Sequence, residues 1–405
     1  MHASTIVRVP FCGLPCSPLR IDAIGAGDRN VAGGCGVARA AAGRAPDRGG
    51  PRIGGRPAAL DAAIGQAAAI LAAARRPHVG GLAWSTIGTA RRAIRLARRL
   101  GATLDIEGGE AAAAESEAIA IAGLAMGTFG AVRARADVAL LWRCDPLAEH
   151  PDLLSARLPA AAGGGARRFV RLGVAGAAEP GDLEALAALR ALVLGRAPHL
   201  ATADAGARAG SLPLAALRDA AAALATAHHA AILWDTQALC GASGAAVALA
   251  LALLVRDLNG VHRAVARPLG GGGNIAGALA AVLSECGHTR DLGPRSDADA
   301  VLLIGARAGR AAEDAAAGAT AAATGDGATA TATPARVVAV GACPPDGLGE
   351  PDVFLPAAVP GLSGGGLWMR ADGIAIPVRD VVPRTAPLEE EVLDTLMARL
   401  PEAAR

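Results

Sequence analysis

Residues 58–101, AALDAAIGQAAAILAAARRPHVGGLAWSTIGTARRAIRLARRLG, decide the fold. Residues 58–76 place apolar side chains at helical spacing. HVGGLAW (78–84) is a short apolar run of the kind a strand covered on both faces presents. GTARRAIRLARRLG (88–101) returns to the helical period, with arginines on one face and a closing glycine. That basic face reads as solvated surface. Helix, buried strand and helix in succession predict a parallel sheet, because a parallel crossover needs a helix's length of chain.

The alternation continues outward. DVALLWRCDP, RRFVRLGV, HAAILWD, ADAVLLIGA, ARVVAVGA and PDVFLPAAV are further apolar runs, separated by Ala-rich helical stretches. Together they predict a doubly wound α/β architecture of Rossmann-like regions. The first 55 residues differ: STIVRV and LRIDAIG read as short strands joined by Gly-rich turns, leading into the linker-like RAPDRGGPRIGGRP. The expected organisation is a short β-rich N-terminal region (1–55), a first α/β region (56–224), a second (225–385) and a C-terminal helix (386–405). The low-complexity tract at 310–335 reads as a surface excursion within the second region.

The chain of 405 residues has room for two or three domains. Its 39 basic and 37 acidic residues create no field that would draw it to nucleic acid or an anionic membrane. Every basic residue is Arg, and Tyr is absent. Lysine Schiff bases, a P-loop lysine and tyrosine acid–base chemistry are thereby excluded. The N-terminal MHASTIVRVPFCGLPC lacks the charged and apolar regions of a signal peptide. The longest apolar run, GAAVALALALLV (244–255), falls short of the ~20 residues a spanning helix needs. Seven scattered cysteines suit a reducing compartment, so the expected location is the cytoplasm.

Cys12, Cys16 and Cys35 lie close together in VPFCGLPCSPLRIDAIGAGDRNVAGGCGVARA (9–40). A tetrahedral zinc or cubane cluster takes four protein ligands, and no fourth Cys lies here, nor any His nearer than His2. Metal ligands and packed thiols both remain open. In LGGGGNIAGA (269–278), Gly271, Gly272, Gly273 and Asn274 could bring backbone N–H groups to an anion, with a helix starting near Ile275; a plain loop is the alternative. Asp145 and His150, in CDPLAEHP (144–151), follow a strand end, where open α/β sheets bind ligands. His228 and His229 read as a packed corner. Trp368, Met369 and Arg370 in GGGLWMRADGIAIPVRDVV (364–382) are residue types that anchor subunit interfaces, with a core position the alternative for Trp368.

Four stretches in order, RADVALLWRCDPLAEHP (135–151), AAILWDTQALCGASG (230–244), LNGVHRAVARPLGGGGNIAGA (258–278) and DVFLPAAVPGLSGGGLWMRADGIAIPVR (352–379), resemble the molybdopterin/tungstopterin oxidoreductases. Within that superfamily they resemble the B subunit of formylmethanofuran dehydrogenase. The resemblance implies a four-cysteine [4Fe–4S] motif whose last three positions are Cys12, Cys16 and Cys35, with Val9 at the first. It places the protein ligand to molybdenum or tungsten near Ala111 in GGEAAAAESEA (108–118), where no Cys occurs from 103 to 141. The family's proton-transfer histidine has no counterpart between His78 and His150. Glu107, Glu110 and Glu115 are the hard oxygen donors nearby. The glycine turn, Asp145 and His150 would face the pterin dinucleotides.

These departures imply a redox-inactive relative, similar to the metal-free B subunit of the formyltransferase/hydrolase complex of methylotrophic bacteria. That complex moves a formyl group from tetrahydromethanopterin to a furan-type carrier and releases formate through sister subunits. The expected role is then a scaffold without cofactor, whose partners are those subunits. The alternative is an active formylmethanofuran dehydrogenase subunit holding a [4Fe–4S] cluster and molybdopterin guanine dinucleotide with tungsten or molybdenum.

Overall fold

The computed structural model describes residues 5–7, 11–14, 18–23, 29–43, 50–144, 153, 158, 167–204, 206–270, 272–289, 292–293, 297–306, 335–345 and 349–401. Strands β1 (Thr5–Val7), β2 (Leu19–Ala23) and β3 (Arg29–Gly33) form an antiparallel sheet, followed by helix α1 (Gly36–Gly43). Next come β4 (Arg52–Ile53), β5 (Arg56–Pro57), α2 (Leu60–Ala73), β6 (Pro77–Gly81), α3 (Ile87–Leu100) and β7 (Thr103–Leu104). The chain continues through α4 (Gly109–Ala122), α5 (Phe129–Arg135), β8 (Val138–Trp142), β9 (Arg168–Leu172), α6 (Asp182–Val193) and α7 (Pro198–Thr202). It then forms β10 (Arg208–Ala209), β11 (Leu212–Pro213), α8 (Leu214–Ala225), β12 (His229–Trp234), α9 (Gly244–Asn259) and β13 (Arg263–Pro268). The last part holds α10 (Ile275–Cys286), β14 (Ala300–Ile304), β15 (Arg336–Gly341), β16 (Val353–Pro356), the hairpin β17 (Gly366–Met369) and β18 (Ala375–Val378), and α11 (Glu389–Arg399).

Parallel pairing dominates, as the doubly buried apolar runs require. One sheet has the order β5-β4-β16-β15-β14-β6-β7, parallel from β16 to β7 with an antiparallel hairpin at its edge. The other, β13-β12-β8-β9, is parallel throughout. The chain leaves the first sheet after β7, builds the second, and returns for β14. The boundary expected at 224/225 therefore does not divide the sheets: β8 pairs with β12 across it, and β6 pairs with β14. An apolar run marks a strand as buried but carries no information about its neighbour, so local reading placed the boundary wrongly. The tract at 310–335, apart from Ala335, lies outside the described residues.

Side-chain alternation fixes what covers each face of the four-stranded sheet. Val138, Leu140 and Trp142 of β8, with Ala230, Ile232 and Trp234 of β12, pack in one core with α4, α6, α8 and α9. Ala139, Leu141, Ala231 and Leu233 point the other way, onto Phe11, Leu14, Leu19 and Ile21 of the N-terminal segment. In the other unit, Val392, Leu393 and Leu396 of α11 join Ile64 and Leu71 of α2 and Ile94 of α3.

Trp368 belongs to the core. Fully buried, it meets Phe11 edge-on at 5.9 Å and Trp84 at 6.5 Å, and its Nε1–H donates to the Gly273 carbonyl at 3.2 Å. The expectation of an interface anchor is corrected at this residue: on an alternating strand Trp368 points inward while Leu367 is 43% exposed. At the His228–His229 corner, both backbone N–H groups donate to the Asp137 carboxylate at 2.9 Å.

Candidate functional site: a buried carboxyl at the edge of the parallel sheet

Parallel strands end with their carbonyls at one edge, and the loops that follow form a crevice there. In the seven-stranded sheet these loops are Leu82–Thr86 after β6, Gly305–Ala306 after β14 and Ala342–Cys343 after β15. Thr86 starts α3 by accepting the Thr89 N–H at 3.0 Å, and its hydroxyl donates to Glu390 Oε1 at 2.8 Å. That contact fixes α11 against α3. The first glutamate of α11, Glu389, is thereby turned into the crevice, 4% exposed. Gly305 makes room for it. Its φ is +54°, and a Cβ there would lie 2.3 Å from Ser85 Oγ and 3.0 Å from Glu389 Oε1.

Among the described residues, Glu389 Oε2 is buried without a hydrogen-bond partner. Burial, helped by the neighbouring Glu390 charge, lifts the Glu389 carboxyl from 4.5 to about 8, against the pull of the Ser85 and Thr89 hydroxyls. It is therefore mostly protonated at neutral pH. A cavity of about 70 Å³ adjoins it, lined by Phe11, Trp84, Gly305, Cys343 and Pro360. A neutral carboxyl in such a place can donate and accept hydrogen bonds, and so can orient a small polar group.

The glycine-rich turn lies beside this crevice. Gly273 N–H donates to the Phe11 carbonyl at 3.0 Å and Asn274 N–H to the Ala83 carbonyl at 2.5 Å. Gly273 has φ +55°, and a Cβ there would lie 2.3 Å from the Ala83 oxygen. Close approach to protein backbone thus accounts for the glycine. Asn274 is fully buried; its amide donates to the Ser85 carbonyl at 2.7 Å and accepts the Met369 N–H at 2.7 Å. It joins the β6 loop, the turn and the β17 hairpin. Gly272 has φ +88°, and Gly271 lies outside the described residues.

Asp145, His150, Cys16 and Val9 lie outside the described residues. Cys12 is buried and disulfide-bonded, in contrast to the reduced thiols expected, so its sulfur is not offered as a thiolate. Cys35 is buried at the start of α1, where Sγ accepts the Ala38 N–H at 3.4 Å. Ala111 is 1% exposed in the apolar core with α9. A methyl group in that position does not fit a metal centre, since it has no lone pair to give. Glu110 accepts the Gly241 N–H at 3.0 Å. Among the described residues no three or more His, Cys, Asp or Glu side chains are placed to hold a metal ion.

Sequence reading missed two buried arginines at the ends of strands in the second sheet. Arg143, with φ +42°, grips Asp182 through two bonds of 2.6 and 2.7 Å and Glu179 at 2.8 Å. Arg267 donates to the carbonyls of Pro268, Gly127 and Ala371, and burial lowers its pKa to about 10, leaving it charged. Burial lifts the Glu115 carboxyl to about 7, and the Arg267 charge opposes the rise. The available signal was an arginine closing an otherwise apolar run, in ALLWR and RAVAR.

No family model matches the chain. The B subunit of the formyltransferase/hydrolase complex Fhc of Methylorubrum extorquens is 31% identical to it over 372 residues, which is 86% of this chain and 96% of that protein. A chain in the crystal structure of the formyltransferase/hydrolase complex FhcABCD from the same organism, in complex with methylofuran, superposes with a TM-score of 0.65 at 25% identity. That superposition covers 86% of this chain and 98% of the other.

Proposed function

The chain belongs to the family of the formyltransferase/hydrolase complex B subunits, and we propose that it fills that place in a four-subunit assembly. The observation that carries this reading is the end-to-end match: 96% of the relative is covered, so no domain of the relative is left without a counterpart. In this reading the assembly handles formyl groups in tetrahydromethanopterin-linked one-carbon metabolism, on a furan-type carrier such as methylofuran, in the cytoplasm. The chain itself is a scaffold of molybdopterin-oxidoreductase type that works without pterin, cluster or redox metal. Ala111, a methyl in the apolar core where the resemblance places the metal ligand, supports the last point. Among the described residues no helix is long and apolar enough to cross a membrane.

Coproduction with the A, C and D subunits tests the reading. The chain is expected to co-purify with them, to be required for formyl transfer by the assembly, and to carry far less than one tungsten or molybdenum atom per chain. About one such atom per chain, or oxidoreductase activity by the chain alone, would overturn the scaffold role.

A further inference from the structure

One face of α3 carries three arginines for one carboxylate. Arg91, Arg95 and Arg98, at i, i+4 and i+7, form a stripe about 10 Å long. All three reach the same Glu285 of α10, at 3.8, 3.5 and 3.9 Å, with side chains 50, 61 and 52% exposed. About a quarter turn round the same helix, Arg92 holds Glu390 and Asp394 at 2.7 and 2.9 Å. The stretched distances show one carboxylate divided among three cations, and Arg98 is also held by the Glu285 carbonyl and Cys286 Sγ at the end of α10, so among the described residues the surplus positive charge of the stripe lies mainly on Arg91 and Arg95. Beside the stripe lies a groove of about 320 Å³, floored by Ile94, Ala97, Val282 and Leu292 and edged by Arg98 and His288.

We propose that the α3–α10 groove docks an acidic segment of another subunit, whose carboxylates lie on the arginine stripe and whose apolar side chain enters the groove. This rests on the reading of the chain as one member of a complex. Charge complementarity commits the site to an acidic occupant, because the surplus is a patch on a protein whose net charge is only +2. The apolar floor commits it to a protein segment, since a small inorganic anion would leave the groove empty. An exposed cationic stripe steers association and makes it sensitive to salt.

The test uses the full chain coproduced with the A, C and D subunits. Changing Arg91→Glu, Arg95→Glu and Arg98→Glu together is expected to lower recovery of the partners about tenfold or more at physiological salt. Circular dichroism of the chain should stay as in wild type, while melting falls somewhat because the Glu285 contacts are lost. Arg256→Glu, on an exposed face of α9, should leave recovery unchanged. Should the triple variant fold poorly, Arg95→Gln alone is expected to cost about two- to threefold and to weaken the salt dependence of assembly. Equal recovery for wild type and the charge variants overturns the docking site while leaving the proposed place in the complex intact. Failure of the wild-type chain to recover any partner overturns both.

Discussion

Glu389 ionises at 4.5 in the unfolded chain and at about 8 in the folded one. Between those values only the folded state holds the proton, so stability is complete below about pH 4.5 and falls as pH rises toward 8. The slope is at most about 1.4 kcal/mol per pH unit, which sums to a few kcal/mol. Glu389→Gln keeps the shape and cannot ionise. It should flatten the melting profile between pH 5 and 8 and melt above wild type at pH 8; a profile parallel to wild type would show that this carboxyl is already charged. Gly305 answers to the same crowding. Gly305→Ala sets a methyl 2.3 Å from Ser85 Oγ at a left-handed φ, and should cost about 2 kcal/mol or more in urea unfolding.

At the scale of elements, the β17–β18 hairpin separates inward from outward side chains. Trp368→Ala should lower stability by about 3–5 kcal/mol, and Leu367→Ser, on the opposite face, should stay within about 0.5 kcal/mol. Comparable losses from both, measured by denaturant midpoint, would mean the hairpin is covered on each side. The strands themselves were legible, because runs such as VALLW and AVLLI must be buried whatever they pair with. The phase of GLWM was not, since a four-residue strand with one tryptophan reads equally well facing either way. GGGGN left an anion cradle and a plain loop both open, because glycines license close approach and the pattern does not say to what; Gly273 approaches Ala83. Glu389 went unnoticed as a first-turn acid of a helix, where acids are ordinary. Its signal was present: it stands at i−3, i−4 and i−7 from Val392, Leu393 and Leu396, on the apolar stripe.

For the whole molecule, the exposed side chains Ile119, Ile121 and Met126 cluster at and just after the end of α4, while the stripe on α3 gathers charge. A chain meant to be covered by others should associate with itself when made alone. We expect production without partners to give aggregated or self-associated protein by size-exclusion chromatography, and coproduction to give a defined assembly. A stable, monodisperse monomer would count against a place in a complex.

The excursion of the chain from one sheet into the other also sets a schedule for its birth. All four strands of the inserted sheet lie between residues 138 and 268, so that sheet can close as soon as the segment has left the ribosome. Strand β6 must wait. Its partner β14 begins at Ala300, and at roughly 5–20 residues per second the gap between β7 and the end of β14 takes on the order of 10–40 seconds. Throughout that interval an apolar strand stands with an open edge, which is the hazard that chaperones relieve. A ribosome-bound chain halted near residue 310, with β13 clear of the exit tunnel and β14 still inside it, should resist protease across the inserted unit while being cut between residues 60 and 104. The same halt placed once β16 is clear of the tunnel should protect both.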